Sequence, residues 1–203
     1  AGSPARTVDH GGPDLMVIAR RSVVGAASIV VALAACAAQP DPTPLMPPVG
    51  RAEATGNGFR LSAVAASATV ASGDPIEVTA TLARTDPGPQ DLTGSGSGLV
   101  FFSVTRLEDG LTSGPPGSRL DCRAYSLSPN EPMTVPFAKS GGFSPDDPNA
   151  AFMEAYFADP ELTLPPGTWR IGVSAIGNLG RECGGGELID LAVTLVVFVT
   201  PGG

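Results

Sequence analysis

Few side chains in this chain of 203 residues can do covalent or acid–base chemistry, and their types narrow the field. The single histidine, His10, precedes an apolar stretch over 22–35 that ends in Cys36, so from Cys36 onward there is no imidazole. That excludes Ser-His-Asp and Cys-His nucleophilic catalysis there, together with His-containing zinc and copper sites. Carboxylates remain. Asp146, Asp147 and Asn149, with Asp159 and Glu161 further on, can supply oxygens to Ca2+, which accepts about six to eight such ligands. Their spacing is not that of an EF-hand. Asp146 and Asp147 read more simply as acids at a helix N-terminus, where carboxylates cap free N–H groups and complement the dipole. Glycoside hydrolysis by carboxylates alone would draw on the same acids or on Glu131 and Glu154, and it requires two of them to face each other across a cleft. Gly94-Ser95-Gly96-Ser97-Gly98 lacks the Lys and the following helix of a phosphate loop and reads as a connector between strands.

The remaining chemistry is covalent and lies at Cys36. Leu33-Ala34-Ala35-Cys36 closes the apolar run led by Arg20 and Arg21, and Gln39-Pro40-Asp41-Pro42-Thr43-Pro44 follows at once. This pattern resembles the lipobox of bacterial lipoproteins. The resemblance implies that the Cys36 thiol carries diacylglycerol, that the chain is cut just before it and that the new amino terminus is acylated as well. The run is about 14 residues, short of the roughly 20 that a helix needs to span hydrocarbon, but it suits a secretory h-region. Arg20-Arg21 matches a twin-arginine signal only in part and serves as an ordinary basic n-region. With Met16 as the start, the expected organisation is upstream read-through over 1–15 and a signal peptide over 16–35. A Pro-rich tether over 36–57 and a globular domain over 58–203 follow.

Each buried methylene contributes about 0.8 kcal/mol, and a single myristoyl-length chain binds only reversibly, so two or three acyl groups on Cys36 would hold the protein on a membrane. Five prolines between Pro40 and Pro48 favour extended polyproline II, a semi-rigid spacer. With Cys36 acylated, Cys122 and Cys183 are the two remaining thiols of an exported protein, and an oxidising compartment favours their pairing. The bridge would close a loop of about 60 residues and add on the order of 4 kcal/mol by restricting the unfolded chain.

From Cys36 the chain carries 18 Asp and Glu against 9 Arg and Lys, so electrostatics oppose nucleic acid and anionic head groups. Its length suits one domain with a self-sufficient core. The expected partners are a membrane, through the lipid anchor, and an envelope protein or glycan. No cofactor is implied, and the expected state is a monomer.

Short alternating segments separated by Gly, Pro and Asp turns point to a mainly β fold. Strands are expected over 59–64, 76–82, 99–107, 119–127, 133–137, 161–164, 168–175 and 188–199. The third should be central, covered on both faces near its start, and the prolines at 129, 132 and 136 mark their neighbours as edge strands. Asp147 as N-cap, with Pro148 in the first turn, should open one helix whose Phe152, Met153, Tyr156 and Phe157 form an apolar stripe. Those rings, with Phe137 and Phe143, either line an apolar groove or form core beneath a long connection.

The Leu162-x-Leu164-Pro165-x-Gly167-x-Trp169-x-Ile171-x-Val173 pattern resembles the corner between two strands of bacterial immunoglobulin-like and fibronectin-like domains, with Trp169 where a Tyr is usual. That resemblance implies an immunoglobulin-like antiparallel β-sandwich with one short helical insertion. More broadly, the run from Gly94 through Phe143-Ser144-Pro145-Asp146-Asp147-Pro148-Asn149 to Cys183 resembles actinobacterial lipoproteins of unassigned activity. The expected role is binding or scaffolding at the outer face of the cell membrane, without catalysis. The rivals are a carboxylate-only envelope hydrolase and a calcium-stabilised adhesion module.

Overall fold

The computed structural model describes residues 50–114 and 121–203; Leu33, Ala34, Ala35, Cys36 and the tether up to residue 49 lie outside them. The described chain begins as a hairpin of β1 (Arg51–Gly56) and β2 (Phe59–Ala65). Six residues expected to belong to the tether are therefore a strand. The reason is Asn57-Gly58, which links the two strands with positive φ at both positions, 51° and 74°. That dipeptide is the strongest short-range hairpin signal, because its backbone twist matches that of the strands. A Cβ on Gly58 would also collide with Asp86 and Arg84.

The chain continues through β3 (Thr69–Ala71), β4 (Val78–Arg84), β5 (Gln90–Ser95), β6 (Val100–Arg106), β7 (Cys122–Leu127) and β8 (Met133–Pro136). Helix α1 (Ala150–Ala158) then precedes two 13-residue strands, β9 (Gly167–Leu179) and β10 (Leu188–Thr200). One sheet has the order β1-β2-β4-β8 and is antiparallel throughout. The other has the order β3-β10-β9-β5-β7, antiparallel except where β3 runs parallel to β10. The first part of β9 pairs instead with β6, from Trp169 to Ala175. Among the described residues the fold is thus mainly β, two sheets with one helix.

Alternation along the strands explains why the sheets share one core. Phe59, Leu61 and Ala63 point inward from β2, Ala80 and Leu82 from β4, Trp169, Ile171 and Val173 from β9, and Leu195 and Val197 from β10, all essentially without exposure. Fully burying each of the larger ones contributes about 1.5–3 kcal/mol. The proline-marked strands β7 and β8 do lie at sheet edges.

Four expectations are corrected. Strand β6 is buried on both faces at its start but, among the described residues, has a ladder only with β9; the chain returns along its other edge, with Ser113 N–H donating to Val104 O at 3.0 Å and Arg106 N–H to Leu111 O at 2.7 Å. Gly94 and Ser95, expected in a connector, end β5. Residues 161–164 form no strand, because their donors are taken locally, Glu161 N–H by Asp159 Oδ1 at 2.8 Å and Thr163 N–H by Glu161 O at 3.2 Å; Leu162 and Leu164 are nevertheless buried, and Leu162 O accepts from Ile76 N–H at 2.8 Å. Finally, α1 starts after Asn149, not Asp147. Asp147 and Pro148 form the preceding turn, in which Asp147 Oδ1 accepts from Asn149 N–H at 2.7 Å, and Asn149 makes no side-chain cap. Asp159 ends the helix with ψ at 127°, the extended conformation that Pro160 demands of its predecessor.

The Cys122–Cys183 disulfide is present, joining edge strand β7 to the loop between β9 and β10, with both residues exposed. Arg181 in that loop pairs with Asp91 of β5 at 2.6 Å. Hydrogen bonds define the two ends of the fold. Asn57 Nδ2 donates to Leu188 O at 3.0 Å, placing the β1–β2 turn at the same end as the start of β10 and the disulfide loop. At the other end Gly50 O accepts from Ala65 N–H, Val78 O from Phe137 N–H and Thr200 O from Ser72 N–H. The described chain therefore enters the fold at the end that carries α1.

Candidate functional site: the aromatic end around helix α1

Helix α1 brings Phe152, Tyr156 and Phe157 together because they fall on neighbouring turns of one face. A continuous row of rings results. Phe143 stacks on Phe157 with centroids 6.2 Å apart, Phe157 meets Tyr156 edge-on at 5.1 Å, Tyr156 lies 5.7 Å from Phe152, and Phe152 stacks on Trp169 at 5.6 Å. Trp169 is fully buried at the start of β9, and its indole N–H donates to Pro165 O at 2.8 Å.

These rings do not all line one groove. Phe152 and Tyr156, with Ala155 between them, form one wall of a cavity of about 330 Å3 whose other walls are residues 163–165 and the turn at Ser72 and Gly73. That volume is at the lower end of the roughly 300–1,000 Å3 of small-molecule sites. Phe143 and Phe157 are absent from its lining, and Phe137 packs on Phe102 at 5.1 Å.

The helix is held by Lys139, the only lysine in the chain. Its Nζ donates to Tyr156 O at 2.5 Å, to Asp159 O at 2.7 Å and to Glu161 O, and it sits 4.5 Å from the Tyr156 ring centroid. These carbonyls lie at and just beyond the negative end of the helix dipole, where a cation is favoured. Burial lowers the Lys139 pKa, with Asp159 opposing the shift. Burial likewise pushes the Tyr156 phenol up to about 12, against a hydrogen bond with Ser113, so this hydroxyl stays neutral at physiological pH and offers no general base.

The acids expected to do chemistry are dispersed. Asp159 accepts from Glu161 N–H at 2.8 Å and from the Thr163 hydroxyl, which holds it below the usual carboxylate range. Glu131 takes the Ser128 hydroxyl at 3.3 Å in the turn between β7 and β8, and Glu154 is exposed on α1. Glu161 lines a groove of about 450 Å3 together with Glu77, which the sequence reading did not single out. Glu77 occupies an outward position next to β4, indistinguishable by alternation from any solvated residue. Asp146 and Asp147 are exposed, and among the described residues no group of three or more His, Cys, Asp or Glu is arranged to hold a metal ion.

The pocket beside α1 is open to solvent and takes its apolar walls from Phe152, Ala155, Tyr156, Leu164 and Pro165. The sequence matches no protein-family model and no curated protein. Among solved structures, the sporulation control protein Spo0M from Bacillus subtilis aligns over 70% of this chain at 12% identity with a TM-score of 0.31, too slight a likeness to bear on function. The chain spans about half, 49%, of that structure's length.

Proposed function

We propose that this chain is a cell-envelope lipoprotein, anchored through Cys36 to the outer face of the membrane, whose immunoglobulin-like sandwich acts as a binding module without catalytic activity. The observation that carries the binding role is the cavity between α1, residues 163–165 and the Ser72 turn, walled by Phe152 and Tyr156. The anchor reading draws its support from Leu33-Ala34-Ala35-Cys36 and the proline-rich run after it. In cells, Cys36→Ser should move the protein from the membrane to the soluble fraction, and a photo-crosslinking residue at position 155 should capture one discrete species. A membrane-bound Cys36→Ser protein, or a position 155 that captures nothing, overturns the reading.

Glu77 and Glu161 in one groove favour a second reading, a carboxylate-only envelope hydrolase. That reading requires hydrolysis of an envelope glycan that is lost in both Glu77→Gln and Glu161→Gln; the binding reading expects none from the wild type.

A further inference from the structure

Cys122 opens β7, which pairs with β5 alone among the described residues, and β5 in turn meets β9 at two residue pairs, Leu92 with Leu179 and Thr93 with Asn178. The β5–β7 edge is therefore joined to the rest of its sheet by a short ladder. Cys183 lies in the loop between β9 and β10, whose residues 180–187 read Gly-Arg-Glu-Cys-Gly-Gly-Gly-Glu, with no apolar side chain besides the cysteine to seat in the core.

Apart from the disulfide, three contacts hold this loop to β5. Gly180 N–H donates to Asp91 O at 2.9 Å, the Thr93 hydroxyl donates to Glu182 O at 3.4 Å, and Arg181 pairs with Asp91 at 2.6 Å. The Arg181 side chain is 79% exposed, and an ion pair so open to water restrains little. Both cysteines are exposed and neither belongs to the core. The covalent bond is thus the main tie between loop and edge, it is open to attack from solvent, and breaking it draws no apolar side chain of the loop out of the core.

We propose that Cys122–Cys183 is a redox switch: oxidised, it pins the β9–β10 loop to the β5–β7 edge; reduced by a dithiol, such as the paired cysteines of a thiol oxidoreductase, it frees the loop while the sandwich stays folded. A thiolate of the dithiol attacks Cys183 Sγ, where the three glycines that follow leave the approach open. The bond to Cys122 breaks, and Cys122 leaves as a thiolate and takes up a proton. The second thiolate of the dithiol then resolves the mixed disulfide, closing a disulfide of its own and releasing Cys183, which is protonated in turn. Two electrons and two protons pass from the dithiol to the bridge.

The test uses the full chain with Cys36→Ser, which leaves the two cysteines of the bridge as its only ones. Reduced dithiothreitol at pH 8, without denaturant, should release two thiols at a rate that rises linearly with its concentration. A rate that levels off, as when unfolding must come first, overturns the proposal. In the reduced protein, backbone amide heteronuclear NOE values should fall in residues 180–187 and stay unchanged in β10 and α1. A glutamate-specific protease should make its first cut at Glu182 or Glu187 at least ten-fold faster than in the oxidised protein, and oxidised glutathione should restore the slow rate. Cys122→Ser with Cys183→Ser should behave as the reduced protein does in both measurements. A loop whose NOE values and cleavage do not change on reduction, or a reduced chain whose NOE values collapse throughout, overturns the switch.

Discussion

Replacing Lys139 by Met removes the ammonium that closes α1 while keeping much of the stem that packs there. Three acceptors lose their donor, the main-chain oxygens of Tyr156, Asp159 and Glu161, and the cation over the Tyr156 ring is lost as well. Hydrogen bonds to a charged group contribute about 1.5–3 kcal/mol each, which sets the upper bound for three. Desolvation of the ammonium, the cause of its lowered pKa, offsets part of this, and water can reach the Asp159 and Glu161 carbonyls in the variant, whereas Tyr156 is buried. A net loss of about 2–4 kcal/mol follows.

In a domain of this size each kcal/mol shifts the melting temperature by about 2–4 °C, so Lys139→Met should melt roughly 4–16 °C lower. Calorimetry and urea unfolding measure the loss, and native-state amide exchange should show it concentrated in α1 and residues 159–164. Lys139→Arg should recover part of the stability, since a longer cation can still reach some of the oxygens. A loss below about 0.5 kcal/mol, the size of an ordinary surface substitution, would refute the reasoning.

Acid should destabilise the protein in a definite window. The hydrogen bond from Arg106 holds Asp109 down to about 2, and Asp91, Glu108 and Asp159 are also lowered, by Arg181, Thr168 and Thr163 respectively. Depressed carboxylates contribute stability that is complete above their unfolded values near 4 and is lost as the pH falls through the folded ones, so the melting temperature should be level from pH 7 to about 5 and decline towards pH 2. A decline that begins above pH 6 would contradict this assignment. Removing the disulfide as Cys122→Ala with Cys183→Ala should cost on the order of 4 kcal/mol for its separation of 61 residues, read by urea unfolding; a loss under about 1 kcal/mol would show that the exposed bridge restrains little. Adding a chelator should leave the melting temperature unchanged, and a fall of several degrees would restore the calcium-stabilised alternative at Asp146, Asp147 and Asn149.

Elements with strong alternation or unbroken β-branched runs were legible in the sequence. Phe59 to Val64 and Leu188 to Val199 agree with β2 and β10 to within a residue at either end, because each strand buries every second side chain in the common core. What misled was local chemistry given the wrong context. Asn57-Gly58 reads as the end of a tether when the strand before it, Arg-Ala-Glu-Ala-Thr-Gly, has only Ala to bury, yet the same dipeptide specifies a hairpin. Strand β5 escaped notice because Gln90 to Ser95 has two buried side chains and a glycine. For the site, helical spacing was enough to gather Phe152, Tyr156 and Phe157. The partners of Lys139 lie 17 to 22 residues away and are main-chain oxygens, and Glu77 meets the groove of Glu161 only through tertiary packing. Contacts of that kind leave no periodic trace.

Intact-mass analysis of the protein extracted from the membrane fraction tests the lipid anchor most directly. The account predicts a chain that begins at Cys36 and carries a diacylglycerol on sulfur and a further acyl group on the amino terminus. A chain still bearing the residues before Cys36, with an unmodified thiol and recovered from the soluble fraction, would contradict it.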